Sequence, residues 1–336
     1  MTDIRSLPLA PGAEFDLIRR FVPRAEPRRA DVVVGVGDDC AVVSGQGIAL
    51  SSDMSMEGVH FRRDWLGMHE IGYRAAAAAL SDLAAVAARP IGVLASLALP
   101  EADAGDAAVE LMRGVREAAE AVGATVLGGD VTRSPGPLAV DVVVVGEAAK
   151  PVLRSGAQHG DEVWVTGELG AAAAAVATLL RGGEPSPAAR ERFARPVPRI
   201  REARWLAERG LMHALVDLSD GLAGDAAHLS AASGAAILLS PEMIPVHPAV
   251  HGVAPDPDEA LRMAVGGGED YELCFTAQVG TVIGHVIDFE RELGVRLSCI
   301  GRVGGGDGVW WVDAQGSRTP LGIDAYQHFR AEEDEA

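Results

Sequence analysis

Between residues 35 and 61 the chain reads GVGDDCAVVSGQGIALSSDMSMEGVHF, a stretch that concentrates the oxygen donors Asp38, Asp39, Ser51, Ser52 and Asp53. The first two follow a β-branched run, Val32, Val33 and Val34, that reads as a strand, and Asp53 closes a second apolar run at 48–50. Both acidic clusters are therefore expected at strand ends, beside glycines that let the backbone turn. Carboxylates and hydroxyls are the hard ligands that Mg²⁺ takes, so Asp39, Ser51, Ser52 and Asp53 read as a metal site. Two solvated acidic turns would use the same residue types, and this stretch alone does not separate the two readings. His60, seven residues after Asp53 and next to Phe61, is either a structural histidine or a ligand contact.

The pattern of an acid after an apolar run recurs. A short strand expected at 125–127 ends in Gly128, Gly129 and Asp130, a weak motif by itself, where glycines would let a phosphate or nucleotide approach the backbone. The segment ALVDLSDGLAGD runs from an apolar strand into a turn carrying Asp217, Ser219, Asp220 and Gly221, with a helix behind it; a plain helix N-cap is the competing reading. Gly266, Gly267 and Gly268 precede Glu269, Asp270 and Tyr271. Three glycines in a row cost backbone entropy, and close approach to a ligand would justify them. Asp82 stands in an alanine-rich helix expected at 68–88, either on a solvated face or turned inward towards a cation.

The elements that must position these residues read as strands and helices in both halves of the chain. A short amphipathic helix is expected at 14–22, then strands at 91–99 and 138–145 around a helix at 106–122. Beyond a break at 148–160 come a strand at 162–166, a helix reaching residue 180, helices from 187 and 198, and strands at 298–303 and 309–312. The 336 residues suit two domains, at 1–149 and 150–330, with an acidic tail at 331–336. A formal net charge of −19 excludes a nucleic-acid binder that relies on a basic footprint. Lys150 is the single lysine and is not in a G-x-x-x-x-G-K-[ST] arrangement, which excludes a P-loop and a protein-kinase fold. If phosphate is handled, carboxylate-held Mg²⁺ must do most of the neutralising. The three cysteines, Cys40, Cys274 and Cys299, have no metal-type spacing, and no apolar stretch reads as a leader or membrane span; a soluble protein of a reducing cytoplasm is expected.

Taken in order, AEFDLI, GVGDDCAVV, SSDMSMEGVHF, LSDLAAVAA, VLGGD, LRSGAQHGD, VDLSDGL, GGGEDYELCF and YQHF closely resemble the thiamine-monophosphate kinase family, over about residues 13–329. That family belongs to the superfamily of aminoimidazole ribonucleotide synthetase and selenide, water dikinase. The resemblance implies a two-domain α/β (α+β) fold of the aminoimidazole ribonucleotide synthetase type, with the N-terminal sheet pairing across a homodimer and ATP between the domains. It implies transfer of the ATP γ-phosphoryl group to thiamine monophosphate with several Mg²⁺ ions. Asp39, Ser51, Ser52, Asp53, Asp82, Asp130, Asp217 and Asp220 match its metal positions. Gly129, Asp130, Arg154 and Ser219 match its ATP positions, and His60, Glu269 and Tyr326 those that hold thiamine phosphate. Ser52 replaces a usual Thr, Val86 and Ala87 a usual Met and Gly, and Val131 a usual Thr. Val122 stands where an aromatic is often found, which leaves open what stacks on adenine.

The implied chemistry suits the residues. Phosphoryl transfer asks for positioning and charge neutralisation, and a phosphate monoester with a second pKa of about 6 is already largely ionised at neutral pH. No general base is needed, and direct in-line transfer is expected. The alternatives are an ATP-dependent ring closure of the aminoimidazole ribonucleotide synthetase type and a nucleotide-binding regulator with a decayed site; retention of every motif acid speaks against the second.

Overall fold

The computed structural model describes residues 32–34, 41–43, 47–324 and 326. The helix expected at 14–22, the acids Asp38 and Asp39, and the tail at 331–336 lie outside them. The first half builds a six-stranded sheet from β1 (Val32–Val34), β2 (Ala41–Val43), β3 (Ile48–Met56), β4 (Arg89–Leu99), β5 (Thr125–Arg133) and β6 (Ala139–Glu147), in the order β1-β2-β3-β6-β4-β5. All pairings are antiparallel except β4 with β5, which the helix α2 (Asp106–Ala121) connects. Val140, Val142 and Val144 alternate along β6 and are fully buried, the period-2 signature of a strand with one face on the core.

That buried face lies under α1 (Met68–Ala85). The helix is covered on nearly every side, by β6 and β3, by α2, and by elements of the second half. Alanine suits such a place because it has high helix propensity and little bulk. The crossing with α2 is closer still: a Cβ built on Gly72 would fall 1.9 Å from the Leu111 carbonyl oxygen, and one on Gly114 1.9 Å from that of His69. These two glycines are required by the contact, not by their own conformation.

The second half forms a seven-stranded sheet from β7 (Glu162–Thr166), β8 (Ala214–Asp217), β9 (Ala236–Leu239), β10 (Leu273–Ala277), β11 (Leu297–Gly304), β12 (Val309–Val312) and β13 (Arg318–Pro320), ordered β13-β12-β9-β11-β7-β10-β8. Its helices are α3 (Ala171–Leu180), α4 (Pro187–Ala194), α5 (Ile200–Glu208), α6 (Leu222–Ser233), α7 (Pro257–Gly266) and α8 (Val286–Leu293). One apolar cluster runs from Leu80, Leu83 and Val142 of the first half to Phe193, Leu215 and Phe275 of the second, so α1 is the shared core element.

Two sequence expectations fail here. Asp53 does not end a strand: β3 continues to Met56 and leaves Asp53 within it. Nor does the strand at 125 stop before GGD, since β5 runs through it to Arg133. Gly129 has φ +152°, and a Cβ there would fall 1.8 Å from the Ala95 carbonyl oxygen, so this glycine serves the pairing with β4.

Candidate active site

A cleft of about 1100 Å³ opens where the two halves meet, and Asp53, Asp82, Asp217 and Asp220 all line it. Each acid arrives by a different route. On β3, Ser51 and Asp53 pair with Val144 and Val142, whose side chains are buried under α1, so strand alternation turns both towards that helix. Asp82, one turn from the end of α1, accepts a hydrogen bond at 2.5 Å from the Ser51 hydroxyl. Its charge is turned inward, which resolves the choice the sequence left open. Ser52 borders the cleft, but its side chain points to the other face of the sheet and donates to Asp141 Oδ1 at 2.7 Å.

Ser81, the neighbour of Asp82, is buried and donates to Asp217 Oδ2 at 2.5 Å, tying α1 to the end of β8. The chain then turns through Ser219, Asp220 and Gly221 into α6. Gly221 has φ +104°, and a Cβ on it would lie 2.9 Å from the Gly267 carbonyl oxygen. The glycine run opposite is packed just as closely. A Cβ on Gly267 would meet the Met263 carbonyl oxygen at 2.4 Å, and one on Gly268 the Ser219 carbonyl oxygen at 2.6 Å. The expectation that only a ligand justifies this run is therefore corrected: although the three glycines border the cleft, the protein's own backbone already forbids side chains there.

Asp225 and His228 of α6 went unnoticed in the sequence. Their donor atoms and one of Asp220 lie within 4.8 Å of one another, and the Asp220 amide donates to Asp225 Oδ2 at 3.2 Å. Burial lowers the His228 ring to about 3, with the Arg154 charge acting in the same direction, so it is neutral at physiological pH. An Asp and a His at i and i+3 behind a Ser-Asp-Gly turn were the available signal.

Segment 268–272 forms the opposite wall. Glu269 and Tyr271 hold φ of 71° and 49°, a left-handed backbone that costs a non-glycine residue of order 1–3 kcal/mol and persists where the surroundings over-determine it. Backbone bonds stitch the segment to the β8 turn, Glu269 N to Ser219 O at 2.8 Å and Tyr271 N to Leu218 O at 2.9 Å. Asp270, partly buried, accepts at its carboxyl from Gly170 N at 2.7 Å. Burial raises its pKa to about 8, against the pull of that amide. Glu272, buried, accepts from Thr166 Oγ1 at 2.7 Å and from both arms of the Arg199 fork, at 2.7 and 2.5 Å. Burial would raise its pKa, but the Arg199 pair outweighs burial and holds the carboxyl below its ordinary range.

His60, Glu269 and Tyr326, the residues matched to thiamine phosphate, all line this cleft, as does Ser219. The Met56 amide donates to His60 Nδ1 at 3.0 Å, which puts the proton of the neutral ring on Nε2. Gly129 and Asp130 are elsewhere: β5 is the exposed sheet edge, with Asp130 paired opposite Ser96. Arg154 is not on the cleft wall either; its carbonyl accepts from the Ser233 hydroxyl at 2.9 Å. Asp39 lies outside the described residues.

Two sheets of this order around a shared helix, with acids from both halves on one cleft, define an AIR synthase related protein. Family models agree in both halves: AIR synthase related protein, N-terminal domain, over residues 37–148, and the corresponding C-terminal domain over 158–311. The chain is 37% identical to thiamine-monophosphate kinase of Salmonella typhimurium, covering 86% of this chain and 90% of that one. It is 33% identical to that of Escherichia coli, covering 94% and 98%. A solved structure of AaThiL complexed with AMPPCP and TMP superposes with a TM-score of 0.78 at 30% identity, covering 95% and 97%. The chain belongs to the thiamine-monophosphate kinase family.

Proposed function

We infer that the chain transfers the γ-phosphoryl group of ATP to the phosphate of thiamine monophosphate, giving thiamine diphosphate and ADP. The observation that carries this reading is the convergence of Asp53 and Asp82 from one half with Asp217 and Asp220 from the other on a single cleft. Donor and acceptor are both anions, yet the arginines on the wall are committed: Arg62 to Asp64 at 2.6 Å and Arg262 to Glu259 at 2.9 Å. Four acids in a cleft for two anions make chemical sense with divalent cations between them, and their oxygens are the right donors. Asp53, Asp82, Asp217 and Asp220, with the Ser51 hydroxyl and with Asp39, would hold Mg²⁺, which would supply neutralisation of the facing phosphate oxygens; Asp130, on the exposed β5 edge, lies off this cleft.

The residues of the chain itself do the rest. Ser51 and Ser81, by donating to Asp82 and Asp217, fix which carboxylate oxygens face the cleft. Ser219, on the cleft wall, would serve ATP, whereas Gly129 and Arg154 lie off this cleft and the Ser52 hydroxyl turns away to Asp141. His60 offers its Nε2 proton to the acceptor phosphate, and Glu269 and Tyr326 complete its pocket. The acceptor oxygen is already ionised, so no side chain need remove a proton.

Homodimer formation through the first sheet is supported by its exposed edge and face, where Leu127 and Val131 of β5 and Met54 of β3 are more than half exposed. The division at 149/150 falls between the spans of the two family models. No helix among the described residues is long and apolar enough to cross a membrane; the cytoplasm is the proposed compartment. Phosphorus NMR of the protein with ATP, Mg²⁺ and thiamine monophosphate tests the function. Thiamine diphosphate and ADP appearing together is the expected result; ADP with unchanged thiamine monophosphate overturns the acceptor.

A further inference from the structure

We propose that Arg74, Asp270 and Glu272 are positioning residues that hold the Glu269 carboxylate in one orientation on the cleft wall, and so set the affinity for the thiamine phosphate; this rests on the function inferred above. The three ties come from three different elements and act on different parts of one short segment.

Arg74 projects from α1 and is buried to 5% exposure. One arm donates to the Phe193 carbonyl at 2.7 Å, the other pairs with Glu269 Oε1, and the guanidinium lies 4.5 Å from the centre of the Phe193 ring. A planar fork packed in this way has little freedom, so the carboxylate it holds has little either. Asp270, the next residue, anchors the backbone to Gly170 at the start of α3. Glu272 fixes the far end to Arg199 of the turn before α5 and to Thr166 of β7. Glu269 and Tyr271, left-handed without being glycine, are the backbone consequence: relaxing either would swing the Glu269 side chain away from Arg74.

Orientation matters because Glu269 is an anion in the pocket of a phosphate ester. It aids binding only when aimed at the cationic thiazolium and amino-bearing ring of the substrate; aimed at the phosphate, it repels. A loosely held glutamate would sample both.

The test is steady-state kinetics with each substrate varied in turn, alongside thermal midpoints, for the unsubstituted protein, Arg74→Met and Arg74→Lys. The expected result is a KM for thiamine monophosphate raised roughly tenfold in Arg74→Met, with KM for ATP moved less than about twofold. Arg74→Lys, which keeps a cation, recovers part of the loss. Glu272→Gln, which keeps volume but not charge, gives the same split at smaller size and serves if Arg74→Met does not fold. An unchanged KM for thiamine monophosphate, or both KM values rising together in step with a lowered thermal midpoint, overturns the inference and leaves the function standing. No turnover of thiamine monophosphate by the unsubstituted protein overturns the function and the inference with it.

Discussion

Helix α1 and segment 268–272 both deliver side chains to the cleft, and they are held by opposite physical means. The helix is regular and packs mainly through alanine, its buried Arg74 being the charge it lends to the segment. Ala75, Ala76, Ala77 and Ala79 are almost wholly buried, and its approach to α2 is set by two glycines at backbone contact. Its side chains are aimed by helical period and by volume. The segment is irregular, with two left-handed residues and three carboxylates, and its shape is imposed by Arg74, Arg199 and the Gly170 amide. The alanine and glycine face of the first tolerates little change of size, whereas the second depends on its charges.

The largest effect that would break this comparison is expected at Glu272. Glu272→Ala leaves the buried Arg199 without its bidentate partner, and removing one member of a buried pair costs about 3–5 kcal/mol, measurable by denaturant unfolding. A loss below about 1 kcal/mol would mean the segment is not held by charge. Next in size, Asp217→Asn should lower turnover roughly 100-fold while changing stability far less, as removal of one preorganised charge-stabilising group does. Equal losses of both would make Asp217 structural. On the helical side, Gly114→Ala forces a methyl against the His69 carbonyl and should cost about 1–3 kcal/mol, while a charge-removing change on the exposed surface of α2, such as Glu110→Gln, stays within about 0.5 kcal/mol.

Different in kind is a slope with pH. The Asp270 carboxyl titrates near 8 in the folded chain, against an ordinary value of 3.8. Between those values the folded state keeps a proton that the unfolded chain has lost. Its contribution is therefore complete below about pH 4 and is lost as pH rises towards 8. Asp270→Asn cannot ionise, so its stability relative to the unsubstituted protein should improve from pH 5 to pH 8 in parallel denaturation series. An unchanged difference would show that the carboxyl is ionised throughout.

Some strands of the second half were legible to within a few residues because their apolar runs are clean, as in 162–166 and 214–217, whereas β9, α7, α8 and β13 were not read. Strand ends were the weak point. Polar residues at 51–53 and glycines at 128–129 look like turn material, yet β3 and β5 run through them, because ladder bonds to β6 and β4 override local preference. Arg74 escaped notice although the signal was the same as for Asp82, a lone charge in a run of alanines.

Chemistry and lineage were written in the sequence itself, since residue types and their order survive any folding: the acids, the hydroxyls and the glycines are all there to be read. Which of them meet was not. The sequence could not say that Ser51 turns to Asp82 while Ser52 turns away, that Ser81 reaches Asp217 across 136 positions, or that Arg74 grips Glu269 across 195. These are long-range contacts, made when α1 is enclosed between two sheets, and only the packed core decides which face of each strand and helix looks into the cleft.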